Sequence, residues 1–467
     1  MSSTAMRRLL ATLFLLLAVA GGAYYYLNMP PPAYFSWIEW SPEIIRAGRQ
    51  VEFTVTLNST GAGGTYRVDV YLARIHYAHV GEPERVGGFD VHIGGSGTGR
   101  GSFRYVFREP GFYVLEFRSG QATLRQLVYA SPGYRSEASF TFAVFGDNRP
   151  ANKASPQPEV FKRLVDEVNL IHPDFSLLLG DVIYGYRSSL ARLREQWSGF
   201  MDLYLSSTVP MFVAPGNHEI QTESVPGSGN PIAQALYVAH LGRPYYAFEY
   251  GNSLFIVLDT DLVGEAYLVT GRQLTWLRGM LELGRGYRHV FVFLHKPVVT
   301  YEGGDTLGNA EQLRKMFAEY RVTAVFQGHD HTYYYRRIEG VDYYVTGGAG
   351  APLYVRAEAG GVHHYLLVTV KGGEARVQFL PVPSFRVDEM ENGTGIRVTY
   401  LFDQPLVFSR YGYTWSVEPE PVLLRGVPLR PGRVEGGRPV ALDNGTLYVE
   451  ALIEPGETIC VRVAGSG

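Results

Sequence analysis

Five short segments of this 467-residue chain hold residue types that can do metal-assisted chemistry. In chain order they are Gly146-Asp147, Gly180-Asp181-Val182-Ile183-Tyr184, Gly216-Asn217-His218-Glu219, Val292-Phe293-Leu294-His295 and Gly328-His329-Asp330-His331. Asp147 and Asp181 offer carboxylates, His295, His329 and His331 imidazoles, Tyr184 a phenol and Asn217 a side-chain amide. That donor set suits two hard or borderline cations. Each segment alone has a plainer explanation, because Gly-Asp is ordinary turn chemistry and a lone buried histidine is usually a hydrogen-bonded core residue. What sets them apart is that all of them fall at the ends of successive predicted strands.

Those strands are expected at 139–145, 175–179, 211–214, 253–258, 289–294 and 323–327, with amphipathic helices at 159–170, 272–283 and 310–320 between them. Strands alternating with helices predict a layered α/β domain, in which ligands bind beyond the carboxyl ends of the strands. Before this region, 33–132 reads as short alternating runs broken by Gly-rich turns, a β-sandwich without a metal-ligand cluster. After about residue 383 the pattern returns to short β segments, as at 396–401, 446–453 and 458–463. The expected division is therefore a leader at 1–28, an N-terminal β-sandwich at 29–135, an α/β domain at 136–383 and a small C-terminal β domain at 384–467.

Arg7 and Arg8 precede an uncharged run at 9–27, and the first acidic residue is Glu39. This reads as an export segment. Ala18-Val19-Ala20 fits a cleavable signal, and the length equally fits a retained anchor with the rest of the chain facing outward. The expectation is a protein outside the cytoplasm, secreted or anchored to the outer face of the membrane, that meets the bilayer only through this segment. Triplets at 58–60, 392–394 and 444–446 are compatible N-glycosylation sequons. The single Cys460 excludes an intrachain disulfide, and the net charge of −3 offers no basic footprint for nucleic acid. The expected partner is a small molecule, and nothing in the pattern speaks to oligomeric state.

The five segments resemble the calcineurin-like metallophosphoesterases, and within them the purple acid phosphatase pattern GD, GDxxY, GNHE, VxxH and GHxH. The resemblance covers about 139–350 and includes the glycine run 347–350. It implies a layered β-sandwich core with flanking helices. It also implies one metal ion held by Asp147, Asp181, Tyr184 and His331, and a second held by Asp181, Asn217, His295 and His329, with Asp181 bridging. The expected cofactors are two metal ions, Fe³⁺ with Fe²⁺, Zn²⁺ or Mn²⁺. His218 stands where the family has a non-ligand histidine facing substrate phosphate, and it is expected to protonate the leaving oxygen.

One departure separates this chain from the wider superfamily. Where many members begin with Asp-x-His, it has Asp147-Asn148-Arg149, and Tyr184 fills the place left by the missing histidine. Arg149 then offers a planar, charged fork for phosphate, with a salt bridge to a nearby carboxylate as the alternative. Asp259 and Asp261 at another strand end either orient a ligand histidine or cap a turn, and Asp330 is expected to point away from the metals. The expected reaction is hydrolysis of phosphate monoesters by in-line attack of metal-bound hydroxide. The alternatives are a phosphodiesterase or nucleotidase of the same superfamily, or a surface binding protein with an inactive core. Substrate choice is assigned to the loops 220–233 and 301–308.

Overall fold

A computed structural model describes residues 32–61, 63–95, 97–133, 139–221, 229–390 and 395–463. The centre of the molecule is a pair of sheets. The first has the order β10-β9-β8-β17-β18, built from β8 (Phe140–Phe145), β9 (Phe175–Leu178), β10 (Met211–Val213), β17 (His364–Lys371) and β18 (Glu374–Pro381). The second has the order β11-β12-β13-β14-β16-β15, built from β11 (Tyr246–Tyr250), β12 (Ser253–Val257), β13 (His289–Leu294), β14 (Ala324–Gln327), β15 (Tyr333–Ile338) and β16 (Val341–Thr346). The strand pattern alone reads as one α/β sheet, whereas the resemblance implies a layered β-sandwich core, and the structure has that core: the motif-bearing strands are divided between two layers. β8, β9 and β10 run parallel in the first, and β12, β13 and β14 run parallel in the second.

Aromatic side chains weld the two sheets face to face. Phe142 on β8 meets Phe255 on β12 edge-on at 5.2 Å and Phe291 on β13 at 5.3 Å, and Phe175 on β9 meets Phe255 at 5.1 Å. Edge-to-face contacts of this kind add to the large apolar area that each ring removes from water. Helices cover the outer faces. Glu159–Ile171 turns Phe161, Leu164, Val165 and Val168 onto the first sheet, at the spacing the sequence shows. Gly271–Gly284 and Ala310–Glu319 share a second apolar cluster behind β12, β13 and β14 that includes Leu277, Leu281, Leu313 and Phe317. Two further helices, Leu190–Ser206 and Pro231–Leu241, were not expected. The first was legible, because Leu193, Trp197, Phe200 and Met201 line one face and the Ser189 hydroxyl caps the start by accepting from the Arg192 amide.

Strands flank this core on both sides in sequence. Ahead of it lie β1 (Ala33–Ser41), β2 (Gln50–Ser59), β3 (Gly64–Arg74), β4 (Glu84–Ile93), β5 (Gly97–Val106), β6 (Gly111–Ser119) and β7 (Ala122–Ala130), in sheets of order β1-β2-β5 and β4-β3-β6-β7; of these, β1 and β7 face the helical side. Both of those strands pack on helix Pro231–Leu241. After the core come β19 (Phe385–Glu389), β20 (Gly395–Tyr400), β21 (Leu406–Arg410), β22 (Tyr413–Val417), β23 (Val422–Leu429), β24 (Val434–Glu435), β25 (Arg438–Asp443), β26 (Thr446–Ile453) and β27 (Thr458–Val463), in sheets of order β19-β20-β27-β24 and β23-β26-β25 and a separate hairpin β21-β22. The expected boundary at 135–136 falls at residues that are not described. So do the hydrophobic run at 9–27 and the sequon at 392–394. Among the described residues no helix is long and apolar enough to cross a membrane.

Candidate metal centre

The motif residues sit at the carboxyl ends of strands from both sheets, where the two layers open into loops. Asp147 follows β8, Asp181 follows β9, Asn217 and His218 follow β10, His295 follows β13 and His329 follows β14. The backbone takes an unusual conformation at three of these positions. Asp147, Asp181 and His329 all have positive φ, at 62°, 55° and 70°. Non-glycine residues seldom adopt this conformation, and where it is over-determined by packing it tends to mark function. Two motif glycines allow close approach. A Cβ at Gly216 would collide with the amide and carboxylate of Asp181, and one at Gly328 would crowd the Asp147 carboxylate.

Asp147, Asp181 and His295 present ligand atoms that lie within 4.8 Å of one another, and all three are buried. His295 donates Nδ1–H to the Leu179 carbonyl at 2.7 Å, which leaves Nε2 facing Asp181 Oδ1 at 3.1 Å and Asn217 Oδ1 at 3.0 Å. His329 brings Nδ1 to 3.3 Å from the same His295 Nε2, and its amide donates to Asp147 Oδ2 at 2.9 Å. His331 spends Nδ1 on the Pro352 carbonyl at 2.6 Å and turns Nε2 toward Asp147 Oδ1 at 3.4 Å. Those last two atoms are buried and have no hydrogen-bond partner. Buried polar atoms are rarely left unsatisfied, so two facing each other across such a gap are donors suited to a cation.

The electrostatics agree with that geometry. Burial alone would raise the Asp181 carboxyl, but His218, His295 and Arg149 outweigh it and hold it well below the usual carboxylate range. Burial opposes a charged His295, yet the facing Asp181 and Asp147 push it up to about 10. His218 goes the other way: burial dominates and lowers it to about 4, although Asp181 pulls upward. The His218 ring is fixed by a hydrogen bond from Nδ1 to the Tyr184 carbonyl, leaving Nε2 3.7 Å from Asp181 Oδ2. Tyr186 packs on the same ring at 4.0 Å and accepts from the Asn217 amide.

Tyr184 lies at the rim of the centre, its ring 5.6 Å from that of His218 and 5.9 Å from the Arg149 guanidinium carbon. Arg149 places Nε 3.5 Å from Asp181 Oδ2 and donates Nη2–H to the Tyr354 hydroxyl at 3.2 Å. The carboxylate contact weighed as the alternative is thus present, and the guanidinium still borders the centre. Asp330 turns its carboxylate to the Thr300 hydroxyl at 2.5 Å, away from the cluster. Asp261 takes the buried ammonium of Lys296 at 2.5 Å, and Asp259 accepts the Asp261 amide at 2.8 Å. The first is an ion pair beside His295, the second a turn cap.

Two contributors were missed. Glu219 is fully buried and accepts amide hydrogens from Asp181 at 3.0 Å, Val182 at 2.6 Å, Ile183 at 3.1 Å and Gly216 at 2.7 Å. It ties the turn carrying Asp181 to the turn carrying Asn217. Its position third in the short helix Asn217–Ile220 was the available signal, since a glutamate there reaches back to the amide before the helix. Tyr354 stacks on His331 at 4.0 Å between centroids and holds Arg149. No spacing in the sequence announced it.

Residues 140–333 match the family model for calcineurin-like phosphoesterases. The chain is 27% identical over 261 residues to human tartrate-resistant acid phosphatase type 5, a match that covers 49% of this chain and 78% of that enzyme. It is 28% identical over 186 residues to purple acid phosphatase 23 of Arabidopsis thaliana, covering 36% of this chain and 37% of that protein. A solved dimetal phosphatase from Danio rerio superimposes with a TM-score of 0.41 at 17% identity, covering 52% of this chain and 95% of that one.

Proposed function

We propose that this chain, a hydrolase of phosphate ester bonds by virtue of its calcineurin-like phosphoesterase domain and its resemblance to purple acid phosphatases, releases phosphate from small monoesters with the help of two metal ions. The observation that carries the reading is the pair of unpartnered buried atoms, Asp147 Oδ1 and His331 Nε2, 3.4 Å apart beside the Asp181 carboxylate. Asp147, Asp181, Tyr184 and His331 would hold one ion, and Asp181, Asn217, His295 and His329 the other. The tyrosine-bearing position suits Fe³⁺, with Fe²⁺, Zn²⁺ or Mn²⁺ beside it. Two such cations, when bound, would neutralise phosphate oxygens and lower the pKa of a bound water.

The chain's own groups supply the rest. Glu219 locks the two turns that carry Asp181 and Asn217, so their side chains hold their relative positions when a dianionic substrate arrives. Arg149, braced by Tyr354, offers its guanidinium to a phosphate oxygen at the mouth. His218 has its ring fixed through Nδ1, so a proton carried on Nε2 is aimed at the leaving oxygen. An adjacent phosphate dianion favours the charged imidazole and offsets the downward push of burial. The uncharged run at 9–27 behind Arg7 and Arg8 supports export, and the pattern of β segments supports the four-part division of the chain.

The test pairs metal analysis of the purified full chain with phosphate release from a panel of monoesters and diesters. The expected outcome is two ions per chain and turnover of monoesters that disappears on chelation. Turnover that survives complete removal of metal, or turnover of diesters alone, sinks the proposal.

A further inference from the structure

The loop that follows β13 runs past the metal centre and is anchored at both ends. Gln327 accepts the amides of Val298 and Val299 at 2.6 and 3.0 Å, and Gly308 donates to the Tyr267 carbonyl at 2.9 Å. Its apex carries Asp305, whose Oδ2 lies 3.4 Å from Nε2 of His329. That contact leaves the other ring nitrogen, Nδ1, facing His295 and the centre. A carboxylate behind a ligand histidine fixes its tautomer and its ring plane, but only when the carboxylate itself is held. Asp305 is about half exposed, its side chain retaining 55% of its accessible surface, and it lies in a segment without helix or strand.

A hairpin from far along the chain packs on the turn that leads to that apex. β21 (Leu406–Arg410) and β22 (Tyr413–Val417) fold back over the catalytic layer. The Arg410 guanidinium carbon lies 3.2 Å from the ring centroid of Tyr301, four residues before Asp305, and Tyr411 stacks alongside Tyr301 at 6.5 Å. The same hairpin clasps the strand that leaves the histidine motif: Phe408 packs on Tyr333 at 5.8 Å and Trp415 on Tyr334 at 5.4 Å. Thr300, next to Tyr301, binds Asp330 between the two motif histidines. The hairpin therefore grips, from one side, both segments that set the direction of His329.

We infer that this C-terminal hairpin is a working part of the metal centre: Arg410 is a positioning residue that fixes the turn at Tyr301, and through Asp305 it orients His329 toward the second cation. The inference rests on the two-metal reading above. It gives a role in the site to a part of the chain whose sequence shows no metal-ligand motif. A purely packing role for the hairpin would lower thermal stability without a selective change in metal affinity.

The experiment titrates full-length, iron-loaded protein with Mn²⁺ and reads free Mn²⁺ by electron paramagnetic resonance, so that no catalytic step enters. Asp305→Asn is expected to weaken Mn²⁺ binding by roughly 10–100-fold, the usual cost of losing such a partner. Arg410→Ala is expected to weaken it by a smaller factor, about 3–10-fold on the same scale, and Arg410→Lys to recover part of that because a cation remains over the ring. The double variant Asp305→Asn/Arg410→Ala is expected to be no worse than Asp305→Asn alone, since one residue acts through the other. Unchanged Mn²⁺ affinity in Arg410→Ala, or additive losses in the double variant, overturns the inference and leaves the two-metal reading standing. Wild-type protein that takes up no Mn²⁺ overturns the two-metal reading itself, and this inference with it.

Discussion

At the loop end of the central sandwich, His295 lies among Asp181, Asp147 and Asn217. At the seam where the flanking β segments meet the helix Glu159–Ile171, His172 is sandwiched against Tyr77 at 4.0 Å, with Tyr448 at 6.3 Å. Both imidazoles are buried. Facing carboxylates outweigh burial at the first and push it up to about 10, whereas burial dominates at the second and pushes it down to about 4. At the seam the ring is held by stacking, the Tyr77 hydroxyl donates to the Arg425 carbonyl at 2.9 Å, and the charged groups nearby, Arg425 with Asp174 and Asp443 with His79, are paired with one another. Each place has a buried imidazole nitrogen without a hydrogen-bond partner, His172 Nε2 at the seam and His331 Nε2 at the loop end, but only at the loop end does it face an unpartnered carboxylate oxygen, Asp147 Oδ1. Burying charge is costly unless it is paired, so a fold keeps such a cluster only where something charged completes it.

Breaking that cluster at its centre has the largest expected effect. Asp181→Ala removes the carboxylate shared by both proposed ion positions, and is expected to reduce phosphate release to background and to empty both positions. Metal analysis of the variant decides it, since a full complement of ions would remove Asp181 from the bridging role. His218→Ala leaves the donor set intact, so metal content should hold while turnover of esters with poor leaving groups falls by about 10²–10⁴-fold. With good leaving groups, which need little protonation, the deficit should shrink. An equal deficit for both classes would assign His218 to binding instead.

Tyr184→Phe sharpens the comparison at the rim. The iron-loaded wild type is expected to absorb visible light by phenolate-to-iron charge transfer, and the variant to lose that band while its fold survives. A band that persists in the variant removes Tyr184 from the ligand set.

The seam gives the smallest effect and one of opposite kind. Because the His172 pKa is lowered on folding, the unfolded chain binds the extra proton between its ordinary value of 6.5 and about 4. Stability contributed by this group is therefore present above that window and lost as pH falls through it, by on the order of 2–3 kcal/mol. Chemical denaturation at pH 7 and pH 5 should show a smaller loss in His172→Gln than in the wild type. Equal losses would place the acid sensitivity elsewhere.

The sequence carried the donor set and its order, because each donor sits in a short segment whose glycines and polar residues interrupt an apolar run. The five segments converge as their places at strand ends lead one to expect, and Asp147, Asp181, Asn217, His295, His329 and His331 lie within reach of one another. The sharing of these strands between two sheets was not readable from their own pattern, and only the family resemblance implied it. A strand buried on both faces shows the same continuous apolar run whichever sheet it joins, as the fully buried β9 and β13 do. Arg149 illustrates the same limit on a smaller scale. Its type admitted both a phosphate fork and a salt bridge, and only the placement of Asp181 and Tyr354 around it shows that it touches a carboxylate while bordering the centre.

The amino-acid sequence by itself thus determined the chemistry on offer: which atoms can bind a cation, and in what order along the chain they arrive. That information is local, written in residue types and the turns they occupy. Tertiary structure decided which nitrogen of His295 and of His331 is free, because a backbone carbonyl from a loop elsewhere in the chain takes the other one. It also decided that Glu219 binds two turns together and that Arg410 lies over Tyr301. Those choices depend on contacts between residues far apart in the chain, up to 116 positions for His295 and Leu179, and no local pattern encodes a distance that only packing creates.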